Sequence, residues 1–244
     1  MILKIFSVIL IAGLMVPSAI ASPASCGTTH YSSYDVSGFS CTIGGLLFDD
    51  FTFSNSANPS GNTIADTGIN VTPITTPGDE GFQFSMGSLV TGDGSAYNFQ
   101  DEILLFHVST TDGSTLTNLT LYFNGSQTGT GATNVTENYC LNATTLVGCS
   151  SGNAGQIKVT DPPPSFNDQV LLGGGAKSVY VSKDIDAAAL AGGTACSPGV
   201  SCDTAHISIV SNTFTHGSVP EPWSMVLVGS GLVGVGMLRR YRRN

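Results

Sequence analysis

Positive charge is scarce in this 244-residue sequence, which has 8 Lys and Arg residues against 17 Asp and Glu residues. Between Ser22 and Ser218 the only Lys or Arg residues are Lys158, Lys177 and Lys183. Because a surface with such an excess of carboxylates repels phosphate backbones, we expect no nucleic acid among the partners. Only 10% of the residues are charged and 41% are hydrophobic, and this composition argues against intrinsic disorder.

Familiar catalytic sequences are also missing between residues 22 and 218. G-x-S-x-G, H-E-x-x-H and P-loop motifs do not occur there, so nothing in the sequence supports those nucleophile, zinc or nucleotide sites. The acid pairs Asp49-Asp50, Asp79-Glu80 and Asp101-Glu102 are adjacent in sequence, and neighbouring strand residues point to opposite faces of a sheet. They give no evidence for the two carboxylates, about 5–10 Å apart across a cleft, that a glycosidase needs. We expect that the chain is not an enzyme.

Residues 1–21 are predicted to form a secretory signal peptide. Lys4 precedes an apolar run from Ile5 to Val16, and small residues, Ala19 and Ala21, then stand one residue apart. A basic residue, an apolar stretch and a small-x-small site in this order are typical of a cleaved signal. We expect cleavage after Ala21 and export of the rest of the chain.

All six cysteines follow the predicted cleavage site. An even number of cysteines in an exported chain is typical of disulfides. Their spacing predicts three local pairs, each closing a hairpin or loop: Cys26–Cys41, Cys140–Cys149 and Cys196–Cys202. Cysteine pairs with the C-x2-C spacing of zinc sites do not occur, so we expect no metal centre built on thiolates.

Residues 22–218 are predicted to form one all-β domain, an antiparallel β-sandwich of jelly-roll-like type. Apolar and polar residues alternate over Phe82–Met86, and the run Ile103–Val108 indicates a central strand. Turn residues between such runs favour a sandwich over alternating strands and helices. The one helical candidate is Asp186–Ala191. Two histidines, His107 and His206, fall within strand patterns, whereas His216 is expected in a linker. The first choices for core residues are Phe51, Phe53, Phe82, Phe84 and Phe106.

Two kinds of ligand remain open for this domain. We expect no cofactor. Calcium is the alternative, because carboxylates on loops suit a hard cation. The acids that could converge on calcium are Asp79, Glu80, Asp93, Asp101 and Glu102. Polysaccharide is the other candidate ligand, for which Tyr97, Tyr122 and Tyr180 are possible stacking residues.

The last 26 residues, 219–244, divide into three parts. Residues 219–222 contain Pro220, Glu221 and Pro222, and residues 223–238 form an uncharged, glycine-rich apolar segment. Residues 239–244 then contain four arginines: Arg239, Arg240, Arg242 and Arg243. As a helix the apolar segment spans about 24 Å at 1.5 Å per residue. We expect a short transmembrane helix whose basic end stays in the cytoplasm.

This order of motif, span and basic cluster resembles the PEP-CTERM sorting signal of exported bacterial proteins. The resemblance implies that an exosortase, a membrane-embedded processing enzyme, recognises Pro220, Glu221 and Pro222 and removes the tail. It implies that the arginine cluster stops transfer through the membrane. It also implies an inner-membrane intermediate that is then moved to the cell surface or extracellular matrix of a Gram-negative bacterium. The alternative is a plain membrane anchor that is never processed.

Three functions of different classes fit this organisation. The leading hypothesis is a structural or adhesive component of the envelope or exopolysaccharide matrix. The second is a carbohydrate-binding module delivered to the surface, and the third is a secreted hydrolase. All three are compatible with the same tail, because the tail determines destination and the β domain determines activity.

Overall fold

The computed structural model describes residues 23–59, 63–92, 97–189 and 203–217, which form two packed antiparallel β-sheets. The predicted all-β sandwich is therefore confirmed. The predicted signal peptide, the C-terminal tail and the Cys196–Cys202 pair lie outside the described residues. Within the described ranges, no helix is long and apolar enough to cross a bilayer.

The described residues form twelve strands. In chain order they are β1 (Thr29–His30), β2 (Ser40–Ile43), β3 (Leu46–Asn58), β4 (Asn70–Thr76), β5 (Asp79–Thr91), β6 (Asn98–Thr110), β7 (Leu116–Thr128), β8 (Gly131–Leu141), β9 (Ala154–Asp161), β10 (Asn167–Leu171), β11 (Ser178–Ala189) and β12 (Thr204–His216). Two short 3₁₀ turns, Tyr31–Ser33 and Asp66–Gly68, are the other regular elements.

Each sheet contains six of these strands. The first sheet has the order β2-β3-β6-β11-β8-β9, and the second has the order β1-β4-β5-β12-β7-β10. All strand pairs within the sheets are antiparallel. Strands β11 and β12 follow each other in sequence but lie near the middle of opposite sheets, so their inward side chains meet across the core.

Phenylalanine fills the space between the sheets. Phe48 packs edge-on against Phe82 with ring centroids 4.7 Å apart, and Phe106 contacts Phe48 in the first sheet and Phe82 and Phe214 in the second. Four of the five predicted core residues, Phe51, Phe82, Phe84 and Phe106, are at most 5% exposed. Phe53 is only partly buried but packs against the same cluster. Edge-to-face aromatic pairs of this kind stabilise a core beyond the area they bury.

Two sequence-based assignments were wrong. Asp186–Ala191 was expected to be helical, but the described part of it is the end of β11, where Ala188 pairs with Phe99 on one side and Ala132 on the other. Alanine favours helix intrinsically, and hydrogen bonding to two flanking strands outweighs that preference. His216 was expected in a linker, but it is the last residue of β12.

Two of the three predicted disulfides are confirmed. Cys26 is bonded to Cys41 and Cys140 is bonded to Cys149. The first bond ties the segment before β1 to β2 in the first sheet. The second ties the end of β8 to the loop that follows it. Both fit a protein that folds in an oxidising compartment.

Candidate functional site

The acids that sequence analysis grouped as calcium candidates are dispersed in the structure. Glu80 lies at the start of β5 in the second sheet, whereas Asp101 and Glu102 lie in β6 of the first sheet. Asp101 faces outward, and Glu102 is buried between the sheets at 0% exposure. Asp93 lies outside the described residues.

Asp101 instead meets two acids that sequence analysis did not include. Asp186 is its direct partner on β11, and carboxylate oxygens of Asp101, Asp184 and Asp186 lie within 4.8 Å of one another. Burial, followed by the charges of Asp186 and Asp101, raises the pKa of Asp184 to about 6. Ser56 and Asn134 donate hydrogen bonds to this group, at 3.2 Å and 3.1 Å. These hydrogen bonds satisfy some of the carboxylate oxygens in this acidic patch on the outer face of the first sheet.

The three candidate stacking residues do not form one platform. Tyr180 lies on the first sheet and Tyr122 on the second. Tyr97 precedes β6 by one residue, whereas Tyr180 pairs with His107 near the other end of that strand. At about 3.3 Å per residue this separation is roughly 30 Å. Each tyrosine must therefore be considered with its own surroundings.

A bulge in β3 builds the pocket around Tyr180. Asp49 pairs with His107 and Thr52 pairs with Leu105, so two residues of β3 stand opposite one of β6. Asp50 in this bulge has a φ of 53°, in the left-handed region that only a few residue types tolerate. Bulges often redirect a side chain. Here the bulged segment lines a surface pocket of about 360 Å³ together with Tyr180.

The opposite wall of the pocket is the loop after the first 3₁₀ turn, with Asp35, Val36, Ser37 and Gly38. Burial, followed by the charge of Asp66, raises the pKa of Asp35. Burial, followed by the charges of Asp50 and Asp49, raises the pKa of Tyr180, which keeps its hydroxyl protonated as a donor. The pocket therefore combines carboxylate acceptors, a phenol donor and an aromatic ring.

Tyr180 and the bulge are held in place beside the pocket by ring stacking and a hydrogen bond. The Tyr180 and His107 rings are stacked, with centroids 6.2 Å apart. His107 Nδ1 lies 2.7 Å from Asp49 Oδ1. His107 is therefore a strand histidine with a polar partner, as the sequence pattern indicated. Its role is to hold Tyr180 and the bulge in place.

His216 lies between Ser114 and Glu80, in the order of a serine nucleophile, its histidine base and a carboxylate. His216 Nδ1 lies 3.2 Å from Ser114 Oγ, and His216 Nε2 lies 3.3 Å from Glu80 Oε2. Ser114 is only 1% exposed and its backbone N–H is bound by Asp112. Because the Ser114 hydroxyl is not accessible to a substrate, these contacts fasten the ends of β5 and β12 to the loop before β7.

Sequence comparisons identify the tail. Residues 218–243 match the PEP-CTERM protein-sorting motif, which confirms the resemblance of the segment containing Pro220, Glu221 and Pro222. No curated protein matches the chain.

A structural comparison finds similarity to a carbohydrate-binding module, TmCBM61, solved in complex with β-1,4-galactotriose. The two share 10% sequence identity with a TM-score of 0.28. The similarity covers 78% of this chain and 98% of that one.

Proposed function

We propose that this chain, which carries a PEP-CTERM protein-sorting motif at residues 218–243, is a structural or adhesive protein of the bacterial envelope or exopolysaccharide matrix. The motif implies export and exosortase-dependent sorting to the cell surface. That match is the observation that carries the proposal. An inner-membrane intermediate, held by the apolar segment before processing, belongs to the same proposal.

The sandwich supports a structural role through its covalent and packing features. Two disulfides fit an extracytoplasmic location. The core is dense in aromatic rings, and long strands such as β5, β6 and β12 have 13 residues each. These features suit a structural role, and we propose that the domain is not an enzyme.

Removal of residues 219–244 tests the sorting proposal in the native host. We expect the truncated protein to be secreted across the inner membrane but lost from the surface fraction, since the sorting enzyme has no tail to recognise. Simultaneous replacement of Pro220, Glu221 and Pro222 by alanine is expected to give the same redistribution. The matched control is Lys177→Ala, which changes an exposed residue of the sandwich. Unchanged surface location and form in both tail variants would remove the proposal.

A second function, carbohydrate binding, is favoured by the pocket around Tyr180. Sugars bind through hydroxyl hydrogen bonds to carboxylates and through contact with aromatic rings. Asp35, Asp50 and Tyr180 line one pocket and supply both kinds of contact. We propose polysaccharide as its ligand, with the matrix as the source.

A binding panel of soluble polysaccharides tests this second function. We expect at least one to bind, and Asp50→Asn to weaken that binding about tenfold, because a hydrogen bond to a charged group contributes roughly 1.5–3 kcal/mol. Asp79→Asn, an exposed acid on the other sheet, is the matched control and should leave affinity unchanged. If no polysaccharide in the panel binds, carbohydrate binding is excluded and only the structural role remains.

A further inference from the structure

One cluster of fully buried polar side chains lies between the sheets and consists of Glu137, Lys183 and Asn212, each 0% exposed. Lys183 on β11 is directly opposite Glu137 on β8 in the first sheet. Asn212 is on β12 in the second sheet. Because buried ions and amides are costly unless paired, a lysine, a glutamate and an asparagine placed together in an aromatic core require an explanation.

The contacts among the three residues are mutual. Lys183 Nζ donates to Glu137 Oε2 and to Asn212 Oδ1, the latter at 2.7 Å. Asn212 Nδ2 donates to Glu137 Oε1 at 3.2 Å and to the Thr120 carbonyl at 2.9 Å. One carboxylate therefore bridges the amine and the amide through its two oxygens. The Thr120 contact fixes the orientation of the amide, with its carbonyl toward Lys183.

Beyond these two polar partners, Lys183 lies beside apolar side chains. Nζ lies 5.1 Å from the centre of the Phe106 ring, and Lys183 pairs with Leu104 on the neighbouring strand β6. Desolvation by burial is the largest influence on both ionisable groups, raising the pKa of Glu137 and lowering the pKa of Lys183. Both directions favour transfer of the proton from the amine to the carboxylate, which leaves Lys183 with a nucleophilic lone pair.

We propose that Lys183 and Asn212 react to form an intramolecular isopeptide bond that joins the two sheets covalently, with Glu137 as the proton shuttle. The nucleophile is Lys183 Nζ, and the electrophile is Asn212 Cγ, one bond beyond the oxygen that Nζ already contacts. Glu137 touches both the attacking and the leaving nitrogen, which is the position a shuttle requires.

The reaction balances without any added reagent. The Nζ lone pair forms the Nζ–Cγ bond, and the Cγ–Nδ2 bond breaks. Protonated Glu137 gives its proton to the leaving Nδ2, and the resulting carboxylate takes a proton from Nζ as the amide forms. Ammonia leaves, Glu137 is restored to its protonated form, and no atom is oxidised or reduced. The product exchanges a buried amine and a buried primary amide for one secondary amide.

This bond goes beyond the proposed surface role and does not depend on it. It would connect β11 and β12, whose linked residues are 29 positions apart in sequence. A crosslink between the central strands of both sheets prevents the sandwich from opening by separation of the sheets. Such a lock suits a domain that must survive outside the cell without energy-dependent repair.

Mass spectrometry of the exported full chain under reducing, denaturing conditions tests the proposal. We expect an intact mass about 17 Da, one ammonia, below that of the corresponding sequence. Trypsin should cut after Lys177 but not after Lys183, since an acylated lysine is not a substrate. A single peptide beginning at Ser178 should carry the mass deficit and yield linked fragments containing Lys183 and Asn212. A full sequence mass with normal cleavage after Lys183 would overturn the proposal.

Variants test whether Glu137 acts as the proton shuttle or has only a structural role. Glu137→Ala is expected to restore the full mass and normal cleavage after Lys183 in protein that remains folded by circular dichroism. Glu102→Gln, which changes another fully buried acid of the first sheet, is the matched control and should keep the deficit. Folded Glu137→Ala protein that still loses ammonia would remove the assigned role of Glu137. If that variant does not fold, the wild-type mass and peptide map still decide whether the bond exists.

Discussion

Lys183 Nζ lies 2.7 Å from Asn212 Oδ1, and this contact joins the central strands of the two sheets. The two residues face each other because β11 and β12 lie near the middle of opposite sheets and both side chains are buried between them. The stability of the domain should therefore depend on Lys183 more than on any exposed lysine.

Replacement of Lys183 by alanine should lower the free energy of unfolding by about 3–5 kcal/mol. The change removes the proposed link between the sheets and leaves Glu137 and Asn212 buried without their partner, and removing one partner of a buried, hydrogen-bonded polar group costs about this much. Lys177→Ala, at an exposed position, should change stability by about 0.5 kcal/mol or less. Urea unfolding of both variants measures the difference. Equal midpoints would mean that the buried cluster contributes nothing to stability.

Gly81 allows β5 and β12 to approach closely. A Cβ at Gly81 would lie 1.9 Å from the Asn212 carbonyl oxygen and 2.8 Å from Thr213 Cα, both backbone atoms. Gly81→Ala should therefore destabilise the protein by about 3 kcal/mol or more, since the strand must shift. Gly87 in the same strand has nothing within 4 Å of such a Cβ, so Gly87→Ala should have little effect. Thermal unfolding of the pair tests this difference, and similar losses in both variants would contradict it.

Each described disulfide should stabilise the protein, and the one that closes the longer loop should contribute slightly more. The Cys26–Cys41 bond spans 15 residues and the Cys140–Cys149 bond spans 9. Chain-entropy estimates give about 3 and about 2.5 kcal/mol respectively. Double serine variants of each pair, compared by urea unfolding under non-reducing conditions, measure both values. A loss below about 0.5 kcal/mol for either pair would show that its loop is already ordered without the bond.

Buried Glu102 should make stability depend on pH. Burial, followed by the charge of Asp101, raises the pKa of Glu102 from 4.5 to about 8. The folded state therefore holds this proton more tightly than the unfolded state, and the resulting stabilisation is present below pH 4.5 and lost as pH rises toward 8. Wild-type stability should fall by about 2–4 kcal/mol over this range because of Glu102.

Glu102→Gln isolates this effect, because the amide has no proton to lose. We expect the difference in unfolding free energy between Glu102→Gln and wild type to change by that amount between pH 5 and pH 8, in favour of the variant at high pH. Asp79→Asn, at an exposed position, is the matched control. A wild-type and Glu102→Gln pair whose stabilities run parallel over the pH range would show that Glu102 titrates normally.

Strand periodicity identified much of the fold from sequence. The alternation over Phe82–Met86 correctly placed Phe82 and Phe84 in the core, and the apolar run containing Phe106 correctly indicated a central strand. The disulfide pairs Cys26–Cys41 and Cys140–Cys149 followed from spacing alone, because each closes a short local loop.

The buried polar cluster was not found, although the sequence contains a signal for it. Lys183 stands in phase with the inward residues Val181 and Ile185 of β11, and Asn212 stands in phase with Val210 and Phe214 of β12. A lysine at one of the inward, otherwise apolar positions of a strand indicates that its side chain is buried. Which residues it meets depends on strand pairing over long sequence separations, and pairing is not encoded locally.

The pocket around Tyr180 could not be predicted from the sequence either, for a related reason. Tyr180 was identified as a candidate, but its neighbour Asp50 is placed by a bulge in β3. A one-residue insertion in a strand leaves no distinct sequence pattern. The other wall comes from a loop more than 140 residues earlier in the chain, beginning at Asp35.

The most direct test of the central claim is the intact mass of the protein purified from the envelope of its native host. Sorting by the PEP-CTERM tail predicts a chain that starts near Ser22 and ends near Pro220, without the arginines Arg239, Arg240, Arg242 and Arg243. Any added mass on the new end would identify a surface carrier. A mass that retains those arginines would contradict processing and leave the tail as a simple membrane anchor.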